Sequence, residues 1–217
     1  MKTTFLSFCL LASSLFLLTG CKKDGNPSTG APDYSPLTVG SNWTYISIEG
    51  TSDTSQFTLT VTDKDTGING KTYKVLSSSN SSENTYLAKM DSNYYRYASI
   101  SDTGRFEELY LKDNCPVNSG WANAASLTIP GSPTPLTADF TYLIKEKGIT
   151  LQANGKTFSD VIHVAVQISV PVLTPTFGEG DFYYAKGIGL IQSSIRLTVP
   201  GEYLYYKSQV LVSYEIK

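Results

Sequence analysis

The chain predicts an all-β fold: a single antiparallel domain, either a strongly curved sheet or a partial or complete barrel, with a two-sheet β-sandwich as the rival arrangement. Three observations carry this. Beyond Pro36, apolar residues recur at every second position over most runs, the period of a strand with one buried face. Turn chemistry separates the runs at Asn69-Gly70, Asp91-Ser92-Asn93, Asn154-Gly155 and Pro200-Gly201, as tight hairpins require. Beyond the N-terminal leader no apolar pattern follows the helical period; Ser119–Ala125 has room for one short helical turn.

The elements follow in order. Trp43 and Tyr45 read as anchors of a first strand. Phe57, Leu59 and Val61 alternate with Thr58, Thr60 and Thr62. "DKDTGING", Asp63 to Gly70, leads into a hairpin turn; it misses a calcium loop because Gly67 and Lys74 stand where further ligands belong. Phe140, Tyr142 and Ile144 share a face, as do Ile162, Val164, Val166 and Ile168. "FGEGD" around Glu179 reads as a polar turn, and Gly187 and Gly189 as a bend or bulge. Ile191, Ile195, Leu197 and Val199 form another face, and Leu204, Tyr206, Val210, Val212, Tyr214 and Ile216 the last. Roughly ten to twelve strands fit this spacing, and no break in composition divides them.

The N-terminal segment has a different logic. Lys2 precedes an uncharged run from Phe5 to Leu18, too short for the roughly 20 apolar residues that span a bilayer and suited to a secretory signal. It ends in Leu18-Thr19-Gly20-Cys21. These four residues resemble the lipobox of bacterial lipoproteins. The resemblance implies that a peptidase, admitted by the small residues, cuts between Gly20 and Cys21 and that the Cys21 thiol takes a diacylglyceryl group. Several acyl chains give lasting attachment where one gives marginal attachment. Residues 21–36 then read as the lipidated cysteine and a Gly-, Pro- and Ser-rich flexible tether, and residues 37–217 as the β domain. "PLTVGSNWTY" (Pro36–Tyr45) and "FYYAKGIGLI" (Phe182–Ile191) resemble elements of Bacteroidetes-type outer-membrane lipoproteins of unknown function. The resemblance implies a cell-envelope β protein and no particular activity. Lys22 after Cys21, and the lack of an acidic run there, point to the outer membrane and to its periplasmic face, with the cell surface as the open alternative.

Charge and chemistry narrow the classes further. The formal charge is −2, with no basic stretch to meet nucleic acid. Cys9 leaves with the leader and Cys21 is the lipid site, so Cys115 is left as a lone thiol and the fold must stand on its core. His163 is the one histidine, expected on the wetter face of its strand; it makes no zinc set with Cys115, and no nucleophile elbow accompanies it. Glu107, Glu108, Asp160, Glu179 and Asp181 are acids that the sequence does not bring together. The expectation is therefore no enzyme, no metal and no cofactor. Tyrosine, 15 in all, clusters in adjacent pairs that send rings to both faces of a strand. Tyr94, Tyr183, Tyr203 and Tyr205 are the candidates for a ligand or partner surface. Three readings of function follow: an anchored binding or assembly protein acting on another envelope protein, a carrier of an apolar ligand inside the curved sheet, or a glycan-binding protein at the surface.

Overall fold

The computed structural model describes residues 33–50, 52–99, 105–127, 135–171, 174–199 and 203–217; of these, the side chains of 98–99, 127, 174–177, 199 and 203–205 are not described. The leader, Cys21 and the tether up to residue 32 lie outside the described residues.

Twelve strands make one antiparallel sheet: β1 (Asn42–Glu49), β2 (Asp53–Ile68), β3 (Lys71–Ser78), β4 (Ser81–Met90), β5 (Asn93–Ser99), β6 (Arg105–Lys112), β7 (Gly120–Leu127), β8 (Leu136–Ala153), β9 (Lys156–Val170), β10 (Thr174–Ala185), β11 (Gly189–Val199) and β12 (Tyr203–Glu215). Their order is β6-β5-β4-β3-β2-β1-β12-β11-β10-β9-β8-β7. Every neighbour is a sequence neighbour except β1 and β12, which pair antiparallel. The sheet curls until β6 and β7, its two edges, come together, so it is a nearly closed barrel and not a sandwich. Among the described residues no helix occurs.

The alternation places the core as expected. Phe140, Tyr142 and Ile144 of β8, and Ile162, Val164, Val166 and Ile168 of β9, are buried and meet Tyr94, Tyr110 and Tyr184 from β5, β6 and β10 inside the barrel. Tyr110 and Tyr184 lie on strands far apart in the sheet, yet their ring centroids are 5.5 Å apart, which fixes the side they share as the interior. Trp43 and Tyr45 are buried and donate their N–H and O–H to the carbonyls of Ile188 (2.6 Å) and Leu190 (2.9 Å).

Four local expectations are corrected. Ser119–Ala125 forms no helical turn; it enters β7, where pairing with β8 from Gly120↔Leu143 onward overrides the helical leaning of its alanines. Glu179 lies within β10, paired with Gln167 and Arg196, not in a turn. In β12 the register with β1 jumps from Ser213 to Leu211, leaving Val212 as a bulge; Leu211 becomes the buried residue and Tyr214 is 41% exposed. Finally, the outer side of β9 near His163 is not wet: Val161 is fully buried and His163 is 9% exposed.

The two halves of the barrel, β1–β6 and β7–β12, repeat one plan. Each opens on a turn three residues before a tryptophan, with positive φ at Gly40 (85°) and Asn118 (66°). In the first, Ser41 N–H bonds the Thr38 carbonyl, Gly40 N–H the Val61 carbonyl, and Val61 N–H returns to Ser41. In the second, Ser119, Pro116, Asn118 and Ile144 take the same parts. Each half then has a hairpin over an Asn-Gly turn, "INGKTYKVL" from Ile68 and "ANGKTFSDVI" from Ala153. Asn69 and Asn154 occupy the left-handed region at φ 50° and 47°, which asparagine tolerates better than most residues. The following aromatics, Tyr73 and Phe158, are both buried. Each turn also reaches the third strand onward: Lys71 bonds Glu107 of β6 at 2.7 Å, and Lys156 bonds the Val212 carbonyl of β12 at 2.6 Å.

Candidate functional site

The first described residues of the chain enter one end of the barrel and are clasped there. The Asp33 carbonyl accepts from Gly187 N–H at 2.6 Å, and the Asp33 carboxylate meets the Lys89 ammonium at 3.1 Å. Tyr34 inserts its ring into the core, 5% exposed. Its N–H bonds the Tyr94 hydroxyl (3.3 Å) and its own hydroxyl donates to Asp160 (3.0 Å). Asp160 is a non-glycine residue at φ 52°, held there by Lys186, whose N–H bonds its carbonyl and whose ammonium lies 3.3 Å from its carboxylate. Around this point opens a cleft of about 300 Å³ that Asp113 and Lys147 also line. Lys147 donates to the main-chain carbonyls of Asp113 and Cys115, tying the loop after β6 to β8. Burial, then the bond to Asp160, pushes the Tyr34 phenol well above its ordinary range.

A charged pair sits deeper in the barrel. Arg96 of β5 bonds Glu108 of β6 through Nε (2.9 Å) and Nη2 (2.5 Å) on one carboxylate oxygen, and the Tyr142 hydroxyl donates to the other at 2.7 Å. Glu108 is 5% exposed; the Arg96 side chain keeps 36% of its surface. Burial opposes the charge on Arg96, but the charges around it and its bonds to Glu108 outweigh that and raise its pKa. Tyr142 is pushed up by burial first and then by the Glu108 charge.

A third group lies on the outer face. His163 of β9 has Nδ1 3.0 Å from Glu146 and Nε2 2.6 Å from Asp181. Its ring stacks on Tyr183, with centroids 4.3 Å apart and planes at 18°. The register explains the grouping: His163 is the ladder partner of Glu146 on β8 and of Tyr183 on β10.

The residues singled out from the sequence are thus dispersed. Tyr94 has no exposed surface; its hydroxyl donates to Asp113 at 2.6 Å, and it serves the clasp rather than a partner-facing surface. Tyr183 is half-buried on the outer face. The side chains of Tyr203 and Tyr205, and Gly20 and Cys21, fall outside the described residues. Cys115 is half-buried in the loop between β6 and β7. The acids each take a different partner: Glu107 has Lys71 and Tyr73, Glu108 Arg96, Asp160 Lys186, Asp181 His163, and Glu179 pairs with Arg196 at 3.8 Å. Among the described residues no group of three acids, histidines or cysteines could hold a metal ion. Sequence reasoning missed the clasp, because nothing in "APDYSP" marks Tyr34 as a core residue.

No family model matches the chain, and no curated protein matches it. Two solved structures are similar to it. One is a "putative lipoprotein" from Parabacteroides distasonis ATCC 8503, with 10% identity and a TM-score of 0.49 over 86% of this chain and all of that one. The other is a "putative exported protein with YmcC-like fold" from Bacteroides fragilis NCTC 9343, with 12% identity and a TM-score of 0.43 over 85% of this chain and 99% of that one.

Proposed function

We propose that the protein is a β-barrel of the cell envelope, moored by lipid on Cys21 at the outer membrane, facing the periplasm, and working by binding or assembly rather than by catalysis. The observation that carries the reading is the clasp. A tether that ends in a buried tyrosine, two Lys–Asp bridges and main-chain bonds transmits an anchor to the whole barrel. Twelve chain steps lead from Cys21 to Asp33, a reach of at most about 43 Å, so the anchor would hold Asp33 within that distance of the lipid. The five acids picked out in the sequence each have a different structural partner: Glu107 has Lys71, Glu108 has Arg96, Asp160 has Lys186, Glu179 has Arg196 and Asp181 has His163.

Fractionation tests this. Wild-type protein is expected in the outer-membrane fraction of a density gradient after a carbonate wash, and Cys21→Ser in the soluble fraction. Membrane retention of Cys21→Ser would overturn the lipid anchor; recovery of the wild type with the inner membrane would overturn the location. Protease added to intact cells is expected to leave the protein whole, and loss of the protein would move it to the cell surface.

A further inference from the structure

Across β9, β10, β11 and β12 one ladder row carries small or short side chains: Ala165, Asp181, Ser194 and Ser208 are partners in sequence. They lie on the outer face, since their neighbours Val164 and Phe182 pack into the interior. The next row on one side holds His163, Tyr183 and Gln192, again ladder partners. The next row on the other side holds Glu179, Arg196 and Tyr206. Rows two residues away on either side put the two walls about 13 Å apart. A trough therefore crosses four strands, with a tyrosine on each wall, and a cleft of about 100 Å³ opens in it against Asp181, Ser194, Arg196 and Tyr206.

We propose that this trough binds an uncharged glycan chain. The Tyr183 ring is held in place before any ligand arrives: it stacks on His163, and Glu146 and Asp181 fix the two nitrogens of His163. A rigid aromatic platform costs little ordering on binding, and the half-buried Tyr183 ring keeps part of its apolar surface for a sugar ring to cover. Around it stand planar or short hydrogen-bonding groups of both kinds, the acceptors Asp181 and Glu179, the donor Arg196, and Gln192 and Ser194, which do both. That mixture suits vicinal hydroxyls. An anionic ligand would meet Glu146, Glu179 and Asp181, while the aliphatic side chains stand at the two ends of the trough, Leu143 beyond Ala165 and Val210, Ile46 and Ile48 toward β1.

The inference rests on the reading of the protein as a binding body and is independent of how it is anchored. The test is native affinity electrophoresis of the full chain in non-ionic detergent, through gels containing dextran, α-mannan, xylan or a mixed-linkage β-glucan. Retardation is expected in at least one of the four. Tyr183→Ala, which removes the platform, and Ser208→Trp, which fills the floor without touching either wall, are each expected to weaken binding at least tenfold. Tyr214→Ala, an exposed tyrosine elsewhere on β12, is expected to leave it unchanged. Circular dichroism melts establish that each variant is folded. Free migration in all four gels, or retardation that persists in both trough variants, overturns the glycan site; outer-membrane fractionation stays intact in either case and separates this failure from a failure of the anchoring.

Discussion

The indole N–H of Trp121, on β7, donates to the main-chain carbonyl of Leu109, on β6, at 2.6 Å. With its amide oriented by its hydrogen-bond partners, Asn123 also accepts from Leu109 N–H at 2.7 Å. Two side chains of β7 thus satisfy both backbone groups of one residue on the opposing edge. They stand where a ladder would run, and they close the barrel without backbone pairing. An edge left open is a template for association with other chains.

Removing this seal has a defined effect. Trp121→Phe keeps an aromatic ring against Tyr142, on which Trp121 stacks at 5.3 Å, but leaves the Leu109 carbonyl unpaired. A loss of about 1–3 kcal/mol is expected, read as a lower urea midpoint at an unchanged slope. Asn123→Leu is expected to act in the same direction and to raise the tendency to dimerise, measured by light scattering.

The clasp makes a separate prediction. Tyr34→Ala empties a core position and is expected to cost about 3 kcal/mol. Tyr34→Phe keeps the ring and loses only the bond to Asp160, for about 1 kcal/mol. Limited proteolysis provides the second readout: cleavage on the N-terminal side of Asp33 is expected to extend into 33–38 in Tyr34→Ala and not in Tyr34→Phe.

Arg96 and Glu108 form a pair that is costly to disrupt from one side only. Arg96→Met strands a carboxylate inside the barrel, at an expected cost of about 3 kcal/mol. The combination of Arg96→Met with Glu108→Leu and Tyr142→Phe, which removes all three polar partners, is expected to recover most of that loss. A cycle of denaturant melts over these variants checks it; equal losses in the single and combined variants would contradict it.

The buried tyrosines predict the alkaline limit of the fold. Burial, and then neighbouring acids or phenols, raises the pKa of Tyr34, Tyr45, Tyr73, Tyr94, Tyr142 and Tyr184, while burial pushes Tyr110 up to about 12. In each case folding favours the neutral phenol. Its contribution is present in full below the unfolded value near 10 and is lost as pH climbs from there through the folded value. Absorbance at 295 nm is expected to show an early group of exposed tyrosines, then a cooperative rise that coincides with loss of the β signal in circular dichroism.

Much of this architecture could be read from the residues, because strand period and turn chemistry act locally. Asn69-Gly70 and Asn154-Gly155 are the turns expected, and the face of Phe140, Tyr142 and Ile144 is the buried one. What escaped depends on long-range pairing. The bulge at Val212 moves burial to Leu211, and only the register with β1 imposes it. His163 looked wet because one strand cannot report that Val161 beside it is covered. Tyr94 looked available because a tyrosine-rich strand does not say which ring lies under Tyr34. The repeated halves left a signal, "NGKTY" and "NGKTF", that strand-by-strand reading passes over. The candidate trough is less legible still. Its row of small residues comes from four strands and exists only once they are aligned.

The proposed attachment requires a lipid-bearing N-terminus, and intact-mass spectrometry of protein extracted from its native membrane tests that most directly. The predicted species begins at Cys21 and carries the added mass of a diacylglyceryl group, with or without a further acyl chain on the new amine. An unmodified chain starting at any other residue would contradict it.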